Sequence, residues 1–312
     1  MIKILVVGEL NVDLVLTGLP SLPIIGRELT STDMRLVLGS SSAITAVRLV
    51  ALGARVDFAG IVGKDDFGQF VLQELTRYGV GTSHVQRVDT RTGATIALTY
   101  SHDRALVTYP GTIAVYDGSN ITPDLLAQYN HLHVGSFFLQ EGLQAHLPRL
   151  FQMAHKTGLT TSLDVGWDPR EQWSANPYLV PTLAETDYFF PNESEANALM
   201  GSDDTIDNLA AHVRGPFVTK RGGQGASLYA GPGRVLSVPA LPVQVVDTTG
   251  AGDAFNAGFL YAYRVEGRGL KDSLHFAAAC GSQAVTQVGG ATGAPTAAEI
   301  QHLIEQHSQE RS

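Results

Sequence analysis

Cysteine is nearly missing from this 312-residue chain. There is one, Cys280, so no intramolecular disulfide can form and the core alone must hold the fold. Set among alanines in HFAAACGSQAV, it is expected to pack as a small hydrophobe, and the scarcity fits a reducing cytoplasm. Charge is scarce too: 16% of residues are charged, and the formal net charge is −9. A nucleic-acid partner is thereby excluded, because a phosphate-tracking surface needs clustered Lys and Arg. No apolar run approaches the roughly 18 residues of a membrane span, so no membrane partner is expected. The N-terminal MIKILVVGEL has one Lys, a very short apolar run and no small-residue cleavage site. It reads as a buried first strand and not as a signal peptide. Two nucleotide motifs are absent as well. Residues 8–13 read GELNVD where a dinucleotide site would carry G-x-G-x-x-G, and no G-x-x-x-x-G-K-[ST] occurs.

Hydrophobic residues make up 44% of the chain, enough for a deep core. Their pattern alternates. Apolar runs such as IKILVVG (2–8) and VDFAGIVG read as strands buried on both faces. AITAVRLVAL (43–52), ending at Gly53, and DFGQFVLQELTRYG, ending at Gly79, read as helices. The rhythm returns with strands at HLHVGS, LTTSLDV, DYFF and PFVTKR and helices at LQAHLPRLFQMAHKTG and NESEANALMG. Strands alternating with helices imply a doubly wound, mostly parallel sheet. Two stretches break the rhythm, about 10–38 and 93–111. The second holds a hairpin candidate, TGATIALTY and ALVTYP around a turn at SHDR. Together they read as a small β-sheet standing over a site; the plainer alternative is a pair of edge strands. No internal repeat or linker is visible, so residues 1–312 are expected to form one domain.

Chemistry concentrates in VVDTTGAGDAFNAGFLYAY (245–263). An extended apolar start gives way to helical spacing, with Gly250, Ala251 and Gly252 at the junction. Backbone N–H groups gather there, small residues admit an anion, and the helix dipole favours negative charge. Such an anion hole suits a transferring phosphoryl group. Asp253 follows in the first helical turn, where a carboxylate can take a proton from an attacking hydroxyl. An Asp at a helix start can also be a plain electrostatic cap, worth about 0.3–1 kcal/mol.

DTTGAGDAFNAGF closely resembles the signature of the ribokinase-like carbohydrate kinases, the PfkB family, and other segments agree in order over nearly the whole chain. The resemblance implies a three-layer α/β/α sandwich with a mostly parallel central sheet and a small β-sheet lid. It also implies an ATP-dependent, Mg²⁺-using phosphotransferase acting on a small-molecule hydroxyl, most naturally a sugar or sugar derivative. Asp253 would be the catalytic base, and Gly250, Ala251 and Gly252 the anion hole. Asp13, in GELNVDLVL, matches a position that holds substrate hydroxyls, and Asn11 a sugar-contacting one; a turn after a strand is the plainer reading of both. Gly39 and Ser40 stand at the family's substrate-binding turn. Asn192 and Glu195, in PNESEA, match an N-x-x-E motif near phosphate, Glu195 holding Mg²⁺ through water. The same pair fits a helix capping box. Lys220, Gly222 and Gly225, in VTKRGGQGASLY, match a nucleotide-side loop, and FAAACGSQAVTQVGGATG the adenine side. Asp247 matches a residue that helps bind a monovalent cation, K⁺, in some members. Many relatives dimerise through their lids, so a homodimer is the default expectation.

One segment departs from the family. Its Gly-Gly-x-x-x-Asn pattern reads here Gly39-Ser40-Ser41-Ser42-Ala43-Ile44, and Ile cannot make the hydrogen bond that Asn makes to a sugar hydroxyl. The acceptor therefore stays open to a nucleoside or a vitamin-like alcohol. A non-catalytic, ligand-sensing kinase homologue is a third reading, against which the retained Asp253 argues. LDVGWDPREQW (163–173) resembles the family's Asp-Pro-Asn-x-Arg stretch only loosely, and no role follows for Asp164, Trp167 or Arg170. His131 and His133 alternate along a strand, but no metal-binding spacing accompanies them.

Overall fold

The structure is a computed structural model and describes residues 2–100, 104–201, 205–231 and 233–309. Nine strands form the main sheet: β1 (Lys3–Val7), β4 (Arg55–Gly63), β5 (Gly81–Val88), β8 (His131–Val134), β9 (Thr160–Leu163), β10 (Tyr188–Phe189), β11 (Phe217–Lys220), β12 (Ala226–Tyr229) and β13 (Val235–Val238). Their order is β13-β12-β11-β10-β9-β8-β1-β4-β5. From β5 to β11 the pairs are parallel, while β12 and β13 add an antiparallel edge. Strand periodicity explains why β1 is continuously apolar. Ile4 and Val6 enter one core and Leu5 and Val7 the other, all fully buried.

Helices cover both faces. On one side lie α1 (Ser41–Leu52), α2 (Asp66–Arg77), α5 (Ala251–Leu260), α6 (Leu270–Ala284) and α7 (Ala297–Gln309); on the other lie α3 (Leu147–Lys156) and α4 (Glu193–Met200). Three layers result, as expected. Gly53 caps α1 in the left-handed region, and Gly79 follows α2 in the same conformation. Cys280 is buried on α6 against Gly258 of α5, where a β-carbon would crowd its sulfur; burial pushes the thiol pKa up to about 12, so it packs as an inert side chain.

A second sheet of four strands, β2 (Asn11–Thr17), β3 (Asp33–Leu38), β6 (Gly93–Thr99) and β7 (Arg104–Tyr109), runs in the order β3-β2-β6-β7. It is mixed: β2 and β6 are parallel, the other pairs antiparallel. The turn expected at SHDR falls on residues 101–103, which lie outside the described residues. Only Gly8, Glu9 and Leu10 separate β2 from β1. The register aligns Asp13, Thr95 and Thr108 on one face and Leu14, Leu36, Ile96 and Val107 on the other. Among the described residues no helix is long and apolar enough to cross a membrane.

Candidate active site

The parallel strands of the main sheet deliver polar residues to one edge, at their C-terminal ends. Glu9 follows β1, Asp164 follows β9, Asn192 follows β10, and Lys220 ends β11. This is the edge at which open α/β sheets bind ligands. A cleft of about 630 Å³ opens there, with Ser41, Asp253, Lys220, Asp164 and Glu195 around its polar end. Leu241, Pro242, Val243, Val245, Ala278 and Val285 wall its apolar end.

The 247–253 segment is clamped before it starts its helix. Asp247 accepts from the Thr249 amide (2.9 Å) and hydroxyl (2.7 Å) through one oxygen, and from the Gly289 amide (2.9 Å) through the other. The expected cation ligand is thus engaged as a loop clamp. Gly250 adopts φ 75°, and any side chain there would collide with Gly290. Of the three amides expected to form the anion hole, that of Ala251 donates to the Thr248 carbonyl at 3.3 Å. Those of Gly250 and Gly252 carry no hydrogen bond among the described residues and stand at the mouth of α5.

Asp253 lies one residue further on, partly open to the cleft. Its Oδ1 accepts from the Ser41 hydroxyl at 2.6 Å. Burial raises its pKa to about 7, and the Asp164 charge adds to the rise. The Ser41 hydrogen bond and Lys220 pull it back, and Glu9 pushes it up.

Lys220 Nζ meets Asp164 Oδ2 at 2.6 Å, and Asn256 Nδ2 donates to the same oxygen at 2.6 Å. Burial alone would raise the Asp164 carboxyl, but Lys220 and Asn256 outweigh it and hold it below its ordinary value. Lys220 behaves in mirror image: burial disfavours its charge, while Asp164 and Glu195 hold it protonated. Asn192 and Glu195 form the capping box of α4, each side chain bonding the other's amide at 2.8 Å. The capping reading of this pair is thus observed, and both residues also line the cleft. Burial and then Asp164 raise Glu195 to about 7. Gly222 and Gly225 line the same cleft beside a 3₁₀ turn; Gly225 passes so close to the Val238 carbonyl that no β-carbon fits.

The remaining expected residues gather under the small sheet. Asn11 Nδ2 donates to Asp13 Oδ1 (2.9 Å), and a β-carbon on Gly39 would collide with both side chains. Burial raises Asp13 to about 6, against the Asn11 bond and the Arg104 charge. Ser40 is different. Its hydroxyl donates to the Glu9 carbonyl (2.6 Å) and accepts from the Ala43 amide (3.0 Å), capping α1. The serine of this run that faces the cleft is Ser41, not Ser40. Ile44 is buried in the core against Gly290, so the residue that replaces the family Asn serves packing and does not face an acceptor.

Sequence reasoning gave no role to Asp164, Glu9, Arg104 or Ser41. Arg104 bridges the small sheet to the clamped loop, donating to Thr249 Oγ1 at 2.7 Å. Glu9 is buried, accepting from the Ser42 amide (3.0 Å) and hydroxyl (2.5 Å). Only the placing of Glu9 and Asp164 at strand ends hinted at either. Arg170 instead pairs with Glu141 (2.6 Å), and Trp167 packs edge-on against Trp173. His131 and His133 share the Ser162 hydroxyl (2.8 and 2.7 Å) inside the sheet, with burial keeping both imidazoles neutral.

A ribokinase of Bacillus subtilis (strain 168) is 31% identical over 307 residues, covering 97% of this chain and 99% of that protein. Two solved structures share the fold: a fructokinase with bound ATP from Xylella fastidiosa (TM-score 0.85, 22% identity, 98% and 99% of the two chains) and a putative ribokinase II from E. coli in complex with ATP and Mg²⁺ (TM-score 0.83, 24% identity, 98% and 100%). The family model for pfkB family carbohydrate kinases matches residues 1–297, a span that takes in both sheets, the cleft and the clamped loop; the chain belongs to that family.

Proposed function

We propose that this protein transfers the γ-phosphoryl group of ATP to a hydroxyl of a sugar or sugar derivative, with Asp253 as general base. One observation carries the reading. A carboxyl whose pKa is raised to about 7 directly follows the Gly250 and Gly252 amides, which carry no hydrogen bond among the described residues, at the head of a cleft of about 630 Å³. A base with a pKa near the working pH combines enough ionised form with enough proton affinity.

In the proposed reaction the acceptor hydroxyl lies between Asp13 and Asp253. Asp13 accepts from neighbouring hydroxyls, and Asn11 orients it. As the acceptor oxygen forms its bond to the γ-phosphorus, its proton passes to Asp253 and the bond from γ-phosphorus to the bridging oxygen breaks, leaving ADP. The Gly250 and Gly252 amides and the start of α5 face the charge on the transferring group, and Lys220 adds a positive charge. The apolar walls around Leu241 and Val285 suit the adenine ring. The donor set also fits a hydrated Mg²⁺: Glu195 is a buried carboxyl beside Asn192, open to the cleft and without an ion-pair partner of its own among the described residues. Held there by Glu195 and Asn192, such an ion would supply positive charge to offset that of the phosphates. The names of the ribokinase and fructokinase relatives support a sugar as acceptor. The outer face of the small sheet supports a homodimer, since Leu36, Ile96 and Val107 form an exposed apolar row.

The test is Asp253→Asn, assayed for ATP consumption against a panel of sugars, sugar acids and nucleosides. It should lower kcat by about 10²–10⁴-fold while ATP binding is retained. Near-normal turnover in that variant removes Asp253 as the base.

A further inference from the structure

The segment that departs from the family pattern contains three consecutive serines, and the structure gives each hydroxyl a separate task. Ser40, held at φ 74°, caps α1. Ser42 holds Glu9. Ser41 reaches a residue 212 positions away, donating to Asp253 at 2.6 Å.

We propose that Ser41 is a positioning residue for the catalytic base: by anchoring Oδ1 of Asp253, it turns Oδ2 toward the acceptor hydroxyl and holds the carboxylate ready. The inference rests on the reading of Asp253 as the base. Geometry supports it from both sides. The Asp253 carboxylate sits in the first turn of α5, and Ser41 opens α1, so two helix N-termini converge on one carboxylate. The bonds made by Ser40 and Ser42 fix the backbone on either side of α1's start, so the Ser41 hydroxyl is delivered from a rigid turn. Among the described residues Ser41 is the sole side chain that hydrogen-bonds Asp253, and Oδ2 has no partner. With one oxygen anchored, rotation about the last side-chain bond is lost, and near-attack geometry depends on that restraint.

The charged groups acting on Asp253 come from several elements: Asp164 after β9, Lys220 at the end of β11, Glu9 after β1, and Arg48 further along α1. These set where the base titrates whether or not Ser41 is present. A hydroxyl that donates to the ionised carboxylate lowers its pKa further, so removal should raise it. The base works ionised, and the acid limb of the rate profile should then move to higher pH.

The experiment compares Ser41→Ala, Ser41→Thr and Asp253→Asn by steady-state kinetics across pH 5–9 (about the range in which such a base titrates), with thermal unfolding of each. S41A is expected to lose about tenfold in kcat, the scale of one hydrogen bond to a charged group. Its KM for ATP should stay unchanged, and the acid limb of kcat/KM should shift to higher pH. S41T, which restores the donor, should return both toward wild type. A wild-type pH profile in S41A while D253N is inactive overturns the positioning role and leaves the base intact. So does a change confined to the acceptor KM, which would make Ser41 a substrate ligand. Full turnover in D253N overturns the base and this inference together. If S41A folds poorly, Ser41→Cys carries the test, because it keeps the volume and weakens the donor; an unshifted profile there overturns the proposal equally.

Discussion

The floor of the cleft and the small sheet above it are built on opposite plans. On the floor, strong charges are buried and bound to one another. The Lys220 and Asp164 side chains are 12% and 6% exposed, Asn256 completes their network, and the Asn192–Glu195 box closes the side. Under the small sheet, Asp13 has one hydrogen-bond donor and no ion pair among the described residues, and the sheet's outer row faces solvent. A preorganised floor suits a reaction whose charges are the same in every turnover. A lightly satisfied carboxylate on a peripheral sheet suits recognition of a neutral polyol, whose hydroxyls supply the missing donors. On the proposed function, the floor determines the reaction and the small sheet determines the acceptor.

Breaking the floor should therefore cost the most. Lys220→Ala leaves Asp164 buried without its cation, and should destabilise the fold by about 3–5 kcal/mol besides abolishing turnover. Urea unfolding reads this directly; wild-type stability would mean the floor is no more rigid than the sheet above it. Asp13→Asn should act differently. It should lower kcat/KM for the acceptor about 10–100-fold, the scale of one or two hydrogen bonds to a charged group, with ATP KM and unfolding midpoint nearly unchanged. An equal rise in ATP KM would erase the division between the two regions. The smallest kinetic effect is expected from Ile96→Lys on the outer row. Under saturating substrates kcat should stay within about twofold, as for a surface substitution away from the site. On the proposed homodimer, sedimentation should instead report a shift from dimer to monomer, and an unchanged sedimentation profile would remove this face as the interface.

How much of this was legible in the sequence depends on the distance between partners. The Asp247–Asp253 segment is contiguous, so its small residues, its helix start and its carboxylate could all be read together. The Asn192–Glu195 box joins residues three positions apart and announces itself likewise. The buried strands were legible because both faces are apolar. The two edge strands, β5 and β13, and β12 beside β13 were not: GTSHVQRV mixes polar residues on both faces, and β12 and β13 flank a glycine turn that reads as a loop. The network of Asp164 with Lys220 and Asn256 joins residues 56 and 92 positions apart, and the Ser41–Asp253 bond spans 212. Nothing local marks such pairs. The Gly39–Ile44 departure was visible, but its meaning was not, because a helix start does not say which of three serines points outward.

The two-residue pleat of β2 assigns its letters alternately. Asp13 lies on the face that meets Gly39, and Leu14 belongs to the outer row. On the proposed function, point substitutions should thus retune acceptor choice and self-association separately, since each residue belongs to one face. Length changes cannot. A single inserted or deleted residue between Leu10 and Asp13 would exchange the two faces at a stroke, placing leucines over the cleft and the carboxylate on the outside. The small sheet should tolerate drift in composition while resisting any change in strand length, and a scan of one-residue deletions against substitutions along β2 would expose that asymmetry.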